Sequence, residues 1–312
     1  MSELMLSIYV ATYNHEKYIE QALDSILMQE TKYSYEVLIG EDCSKDNTRQ
    51  VLKEYEKKHP GKFTVFYRDH NMYHDEVNNG EDLKRRCRGK YIIALEGDDY
   101  WTDSSKIEKQ ITFLEKHPEY NAVAHQCTVV DEFSIPNGEE YPSCKETQYT
   151  FQHFASGITP GQLTTVMYRN FYAYDILDSS LCKMKLSPGD QCIYFSLVSN
   201  GKIYCMKEVM SAYRHITAKG TSFSATYKYE FEKLENLTSA FIDYAKKIGN
   251  KEAKKYAEFM YMRNLYSGVK SKQISLKQAI NKSVRISNRI RALYMCMVFI
   301  INQQILKRDI KL

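Results

Sequence analysis

Apolar positions over the first 130 residues follow two alternating spacings. Short runs rich in β-branched and aromatic residues at 4–11, 35–40, 63–67, 91–96 and 122–130 predict strands. Between them, apolar residues three and four apart at 18–28, 48–58, 82–88 and 106–116 predict helices. This alternation favours an α/β fold, a mostly parallel sheet flanked by helices, with ligands bound where loops leave the carboxyl ends of the strands. Function is therefore expected in three loops, 12–16, 41–47 and 97–104.

From 132 to 159 the pattern gives way to polar and aromatic residues around Pro136, Gly138 and Pro142, an excursion over the sheet. Regular spacing resumes at Gln162. It predicts a strand at 163–168, a helix at 171–181, a helix at 191–198 after the turn Ser187-Pro188-Gly189-Asp190, and a last short strand at 209–213. Beyond Thr226 the chain becomes rich in Lys, Glu, Tyr and Leu and predicts helices near 228–247, 251–267 and 276–306, broken at Gly249-Asn250 and Gly268. A helical C-terminal extension over 226–312 is thus set apart from 1–225.

The 312 residues exceed the roughly 100 to 200 of one average domain. At 43% hydrophobic and 26% charged, with 13 Gly and 6 Pro, disordered and collagen-like classes are excluded. Lys and Arg number 43 against 39 Asp and Glu, and a net +4 lacks the footprint of a nucleic-acid partner. The eight cysteines form no CxxC pair or ligand cluster, so reduced thiols in a cytoplasmic chain are expected. The first nine residues lack the basic and long apolar regions of a signal peptide.

The longest uncharged apolar stretch, 292–301, is about half of the roughly 20 residues a membrane span needs. Surface attachment stays open. Ile286, Ile290, Leu293, Met297 and Ile301 fall at helical spacing, with Lys282, Arg285, Arg289 and Arg291 before them and Lys307, Arg308 and Lys311 after. Such a cationic amphipathic helix either lies on the inner face of the cell membrane or packs on the catalytic domain or a second subunit, as in a homo-oligomer.

The loops lack GxGxxG, GxxxxGK[ST] and GxSxG, which weakens dehydrogenase, P-loop and α/β-hydrolase readings. What they carry is acid. Glu96, Asp98 and Asp99 crowd three carboxylates into four residues, a repulsion that a hard cation such as Mg²⁺ or Mn²⁺ would relieve while substrate phosphates complete its shell. The plainer alternative is a solvated turn before a helix capped near Asp103 or Ser104. Asp42 follows a strand directly and can accept from a base N–H or a ribose hydroxyl, whereas Ser44 or Asp46 can cap the next helix. Asn14 offers hydrogen bonding to a base, or a cap.

In order, the segments SIYVATYN (7–14), IGEDCSKDNT (39–48) and GKYIIALEGDDYW (89–101) resemble family 2 glycosyltransferases of the GT-A, Rossmann-like fold, over about 4–222. The resemblance implies a nucleotide-sugar-binding part at 1–130 and an acceptor and catalytic part at 131–225. It assigns Thr12, Asn14, Asp42 and Asp46 to uridine recognition. The family's Asp-x-Asp motif matches Glu96-Gly97-Asp98, with a Glu in first position and Asp98 as ligand to Mn²⁺ or Mg²⁺. Asp99 and Trp101 fall on the acceptor side, or Asp99 braces the loop. Asp190 matches the downstream catalytic base, although an aspartate there also makes a good helix cap. Of eight histidines only His215 is selected, as a metal ligand, while Arg214 or Lys219 would neutralise phosphate oxygens.

The expected activity is inverting, metal-dependent transfer from a nucleotide sugar, UDP-sugar first, to a hydroxyl of a glycan or lipid-linked acceptor, as in bacterial polysaccharide or glycolipid synthesis. A sugar-phosphate nucleotidyltransferase would use the same acids and metal but lacks its Gly-rich N-terminal phosphate loop. A non-catalytic sugar-nucleotide or glycan-binding subunit is the third reading, which intact Asp98 and Asp190 disfavour.

Overall fold

The structure, a computed structural model, describes residues 3–174, 176–186, 188–216 and 229–309, with side chains described to residue 302. The chain divides into two compact units, one of residues 1–150, 157–179 and 200–227, the other of 151–156, 180–199 and 228–312. The segment carrying Asp190, read from sequence as part of the first 225 residues, thus groups with the C-terminal helices.

The first unit opens with β1 (Leu6–Thr12), α1 (Ile19–Leu27), β2 (Tyr35–Glu41), α2 (Thr48–Lys58), β3 (Thr64–Tyr67), α3 (Asn79–Arg86) and β4 (Tyr91–Glu96). After these come β5 (Tyr100–Trp101), α4 (Lys106–Lys116), β6 (Tyr120–Val130), β7 (Gln148–Tyr149), β8 (Met167–Arg169) and β9 (Lys202–Arg214). Sheet order is β3-β2-β1-β4-β8-β6-β9-β5, with β7 also on β9. The first four strands are mutually parallel, as is β6 with β9; β8, β5 and β7 pair antiparallel over short stretches, so by paired length the sheet is mostly parallel.

Central strands covered on both faces need apolar residues at nearly every position, which is how Leu6, Ile8 and Val10 of β1 and Ile92, Ile93 and Leu95 of β4 are buried. On α1, Ile19, Ala22, Leu23 and Ile26 form a stripe at i, i+3, i+4, i+7, and all four are buried in this core.

Four elements differ from the sequence expectation. Residues 163–165 are a 3₁₀ turn and only Met167–Arg169 pairs as a strand. No helix forms over the described part of 171–181. There the Asn170 side chain accepts from the amides of Tyr172 and Ala173, closing a turn, and Asp178, Ser179 and Ser180 are residues that compete with helical hydrogen bonding. β9 begins seven residues earlier than predicted, its first half disguised by exposed Lys207 and Glu208.

The fourth lies in the second unit, built from α5 (Phe151–Ala155), α6 (Gly189–Asn200), α7 (Phe231–Lys247), α8 (Lys251–Lys270), α9 (Leu276–Lys282) and α10 (Arg289–Asp309). The single helix expected at 276–306 is two, because the chain breaks at 283–288 and Asn288 restarts it by accepting from the Arg291 amide at 3.0 Å. Gly268, expected as a break, sits inside α8. A Cβ there would lie 2.5 Å from the Phe231 ring, so the glycine serves close packing. The core stacks Phe195 on Phe241 with ring centroids 4.3 Å apart. No helix among the described residues is long and apolar enough to cross a membrane.

Gly89 passes over β1 so closely that a Cβ would fall 2.5 Å from the Leu6 and Ser7 backbone. Gly89→Ala is expected to destabilise by about 1–3 kcal/mol, because backbone rather than a side-chain tip must yield. In contrast Gly80→Ala, in α3, where a Cβ would meet only Asn78 Oδ1 at an ordinary contact distance of 3.6 Å, is expected to gain up to about 1 kcal/mol. Urea unfolding of the two variants checks both signs.

Candidate active site

Strand register brings the predicted loops to one sheet edge. In the β1–β2 ladder Thr12 stands opposite Glu41, and in the β1–β4 ladder Ala11 stands opposite Glu96, so the exits of β1, β2 and β4 lie at the same level. Asp42 N donates to Thr12 O at 3.0 Å and Gly97 N to Ala11 O at 3.2 Å. Gly97 is needed for this approach: a Cβ would lie 2.6 Å from His15 Nδ1 and 2.7 Å from Thr12 Oγ1.

The first two loops are sewn together by short polar side chains. Asn14 Oδ1 accepts from Lys45 N at 2.8 Å, and Asn14 N donates to Ser44 Oγ at 3.0 Å. Asp46 accepts from Glu16 N with Oδ2 and from Thr48 N with Oδ1, at 3.1 and 3.0 Å. Burial would raise the Asp46 pKa, but these donors and the Thr48 hydroxyl hold it below the ordinary value. Asn14 and Cys43 at the loop crests have φ of 57° and 58°, left-handed backbone that Asn accepts more readily than most residues. The Asp42 carboxylate accepts from Met72 N at 2.8 Å and Asn71 Nδ2 at 3.1 Å, and burial raises its pKa.

The third loop holds the acid. One oxygen each of Glu96, Asp98 and Asp99 lies within 4.8 Å of the others. Asp99 is buried, its Oδ1 accepting from Arg214 N at 2.8 Å and its Oδ2 from Gln162 Nε2 at 2.9 Å. Gln162 Nε2 also reaches Glu96 Oε2 at 3.2 Å. Burial, and then the neighbouring Asp98 and Glu96 charges, pushes the Asp99 pKa well above the usual carboxylate range. Three oxygen-bearing side chains with one carboxylate already disfavoured as an anion form a hard, under-neutralised donor set, and a Mg²⁺- or Mn²⁺-like cation fits its chemistry.

Arg214 locks this loop from behind. Antiparallel pairing of Tyr100 with Ala212 and Trp101 with Ser211 delivers the end of β9 to the acids. The buried guanidinium donates from Nε to Asp98 O at 2.9 Å, from Nη1 to Asp131 O at 2.9 Å and Ser134 Oγ at 3.1 Å, and from Nη2 to Gln21 Oε1 at 2.8 Å and Ser134 Oγ at 3.1 Å. All five N–H groups of an arginine are thereby used. The same group lies 4.3 Å above the Tyr18 ring. Its contacts tie α1, the acidic loop and the turn after β6 into one frame.

That frame walls a cleft of about 910 Å³ inside the first unit, lined by Asn14, His15, Asp46, Asp98, Phe133 and Arg214 among others. Its size suits a small-molecule ligand. Thr12, Asn14, Asp42, Asp46, Glu96, Asp98, Asp99 and Arg214 thus meet at one edge. Trp101 is buried, its indole N–H on Thr164 O at 3.2 Å. His215 is outside the acidic group, and its Nδ1 meets Glu139 Oε2 at 2.5 Å. Asp190 belongs to the second unit, in the first turn of α6, with Oδ1 accepting from Gln191 N at 2.9 Å. Lys219 lies outside the described residues.

Sequence reasoning missed His15 and Gln162. His15 places Nδ1 3.2 Å from Thr12 Oγ1 and Nε2 3.8 Å from Asp98 Oδ2, linking two of the predicted residues. Its position directly after Asn14 was the available signal. Gln162 had none, since its contacts with the acids cross 66 and 63 residues of chain.

Comparison with known proteins agrees with this architecture. The family model for glycosyl transferase family 2 matches residues 7–171. An uncharacterized protein of Mycobacterium tuberculosis is 31% identical over 210 residues, 67% of this chain and 58% of the relative, so the chain spans under two thirds of that relative's length. The putative teichuronic acid biosynthesis glycosyltransferase TuaG of Bacillus subtilis is 32% identical over 140 residues, 41% of this chain and 52% of its own. Among solved structures, S. aureus TarS in complex with UDP-GlcNAc superposes with a TM-score of 0.65 at 19% identity, covering 92% of this chain and 82% of that one, a likeness of fold.

Replacing Arg214 by Met keeps an apolar stem but strands the carbonyls of Asp98 and Asp131. The expected cost is above about 2 kcal/mol in chemical denaturation, with Arg214→Lys recovering only part of it because an ammonium cannot span the planar fork.

Proposed function

We propose that this chain, which belongs to glycosyl transferase family 2, moves a sugar from a nucleotide-sugar donor to a hydroxyl of a glycan or lipid-linked acceptor, with inversion at the anomeric carbon. The observation that carries the reading is the carboxylate group Glu96, Asp98 and Asp99, held at the same sheet edge as Thr12, Asn14, Asp42 and Asp46. The UDP-GlcNAc and UDP in the TarS complexes make a UDP-sugar the first donor to test.

In this proposal the nucleoside rests on the paired first and second loops, whose polar atoms are fixed before any ligand arrives, so little ordering cost falls on binding. Asp98, with Glu96 beside it, would hold Mn²⁺ or Mg²⁺, which when bound supplies positive charge to the departing diphosphate. Asp99 braces the loop from within. Arg214, with every donor engaged by the chain itself, keeps Asp98 in position and does not meet phosphate.

The reaction is a single displacement. The acceptor oxygen forms its bond to the anomeric carbon as the bond from that carbon to the diphosphate oxygen breaks, and the acceptor proton passes to a carboxylate base. The base is assigned to Asp190 by the family resemblance.

Two substitutions separate these roles. Asp98→Ala is expected to abolish Mn²⁺-dependent UDP binding in calorimetry, whereas Asp190→Asn keeps that binding and loses at least about 100-fold in transfer rate, the usual share of a general base. Normal turnover by Asp190→Asn would remove the base assignment, and metal-dependent UDP binding by Asp98→Ala would remove the metal site.

A further inference from the structure

Among the described residues, the last helix of the second unit packs through one face only. Within α10, buried Ala292 and Cys296 turn toward the rest of the unit, and the Phe299 ring lies 5.9 Å from Phe259 and 5.0 Å from the Arg263 guanidinium. The helix start is pinned as well: Glu258 accepts from Ser287 N at 2.9 Å and from Arg291 Nη2 at 3.2 Å. Ala292, Cys296 and Phe299 follow i, i+4, i+7, one stripe of an α-helix.

A second stripe, Ile290, Leu293, Met297 and Ile301, follows i, i+3, i+7, i+11 and is left bare. These residues are 85%, 50%, 48% and 53% exposed, with Tyr294 beside them at 63%. The row runs 11 residues, about 17 Å at 1.5 Å per residue. On α9 and the turn after it, Leu276, Ile280 and Val284 repeat the pattern at i, i+4, i+8, each more than half exposed. Of the row read from the sequence, Ile286 is buried and the other four are exposed. Soluble surfaces seldom leave so many large aliphatic side chains in register without a partner.

Charge identifies the partner. Residues 271–312 contain nine Lys and Arg against one acid, Asp309, whereas the whole chain has 43 against 39, so the first 270 residues are net −4. Lys277, Arg289 and Arg291 are exposed on the same two helices as the bare stripes, and Arg285 on the turn between them. Isologous pairing of two copies through this face would bring two such basic segments together. An anionic bilayer satisfies both features, taking the aliphatic stripe into its acyl boundary and the cations into its headgroups.

We infer that α9 and α10 form a monotopic membrane-docking surface selective for anionic lipid, with Leu293 and Met297 at its apolar centre and Lys277 and Arg289 among its headgroup contacts. The inference stands on the second unit alone and does not depend on the chemistry proposed above.

Flotation of the full chain with vesicles of phosphatidylcholine containing about 30 mol% phosphatidylglycerol, against phosphatidylcholine alone, tests it. Binding is expected to the anionic vesicles and to fall about tenfold or more without the anionic lipid or in high salt. Leu293→Asp with Met297→Asp, both at exposed positions, should cut it about tenfold while leaving the melting temperature unchanged. Absence of flotation with anionic vesicles, or equal flotation by the double variant, overturns the inference. So does sedimentation showing a dimer of the wild-type chain that the double variant converts to monomer, since a second copy would then own the face.

Discussion

An arginine at the end of the last strand of the first unit holds the site together. Arg214 is drawn to the acidic loop by two short β-pairs between β5 and β9, and from there its guanidinium fixes three chain segments that are far apart in sequence: α1 through Gln21, the acidic turn through Asp98 O, and the turn after β6 through Asp131 and Ser134. The main-chain amide of the same residue donates to Asp99. Burying a cation with this many satisfied donors is tolerable only because each replaces a water, and losing any one leaves a carbonyl or carboxylate stranded. The cleft's geometry is thus a property of one buried fork.

The acidic loop is consequently asymmetric. Asp99 faces inward, its anion disfavoured by burial and by two like charges, and its oxygens already serve Arg214 and Gln162. Asp98 turns the other way, toward the cleft and His15. Gly97 and Asp98 form a tight turn, with Asp99 N donating to Glu96 O at 3.0 Å, and across it neighbouring aspartates of identical chemistry divide into a brace and an outward-facing carboxylate. The glycine before them is what allows the loop to press against Thr12 and His15.

Much of this was legible from the chain. The buried strands at 6–12, 35–41 and 91–96 advertise themselves by unbroken apolar runs, and helices such as α2 and α4 by their spacing, because both signals arise from local periodicity. The three loops followed from that alternation. What escaped depends on distant partners. The role of Gln162 is set by acids more than 60 residues away, the four acceptors around the Arg214 guanidinium come from distant segments, and β9 carries charges in its middle that break the strand signature. The interruption at 283–288 was in principle readable from Ser283, Ser287 and Asn288, but the continuing apolar spacing on either side masked it. The amphipathic tail was legible as a pattern, and only the structure distinguishes its packed stripe from its bare one.

The most direct test of the account is a crystal structure of the chain with UDP and Mn²⁺. It predicts the metal bound by the Asp98 carboxylate, the diphosphate on the metal, and Arg214 still engaged with Asp98 O, Asp131 O and Gln21. A metal held away from Asp98, or an Arg214 side chain swung out onto the diphosphate, would contradict it.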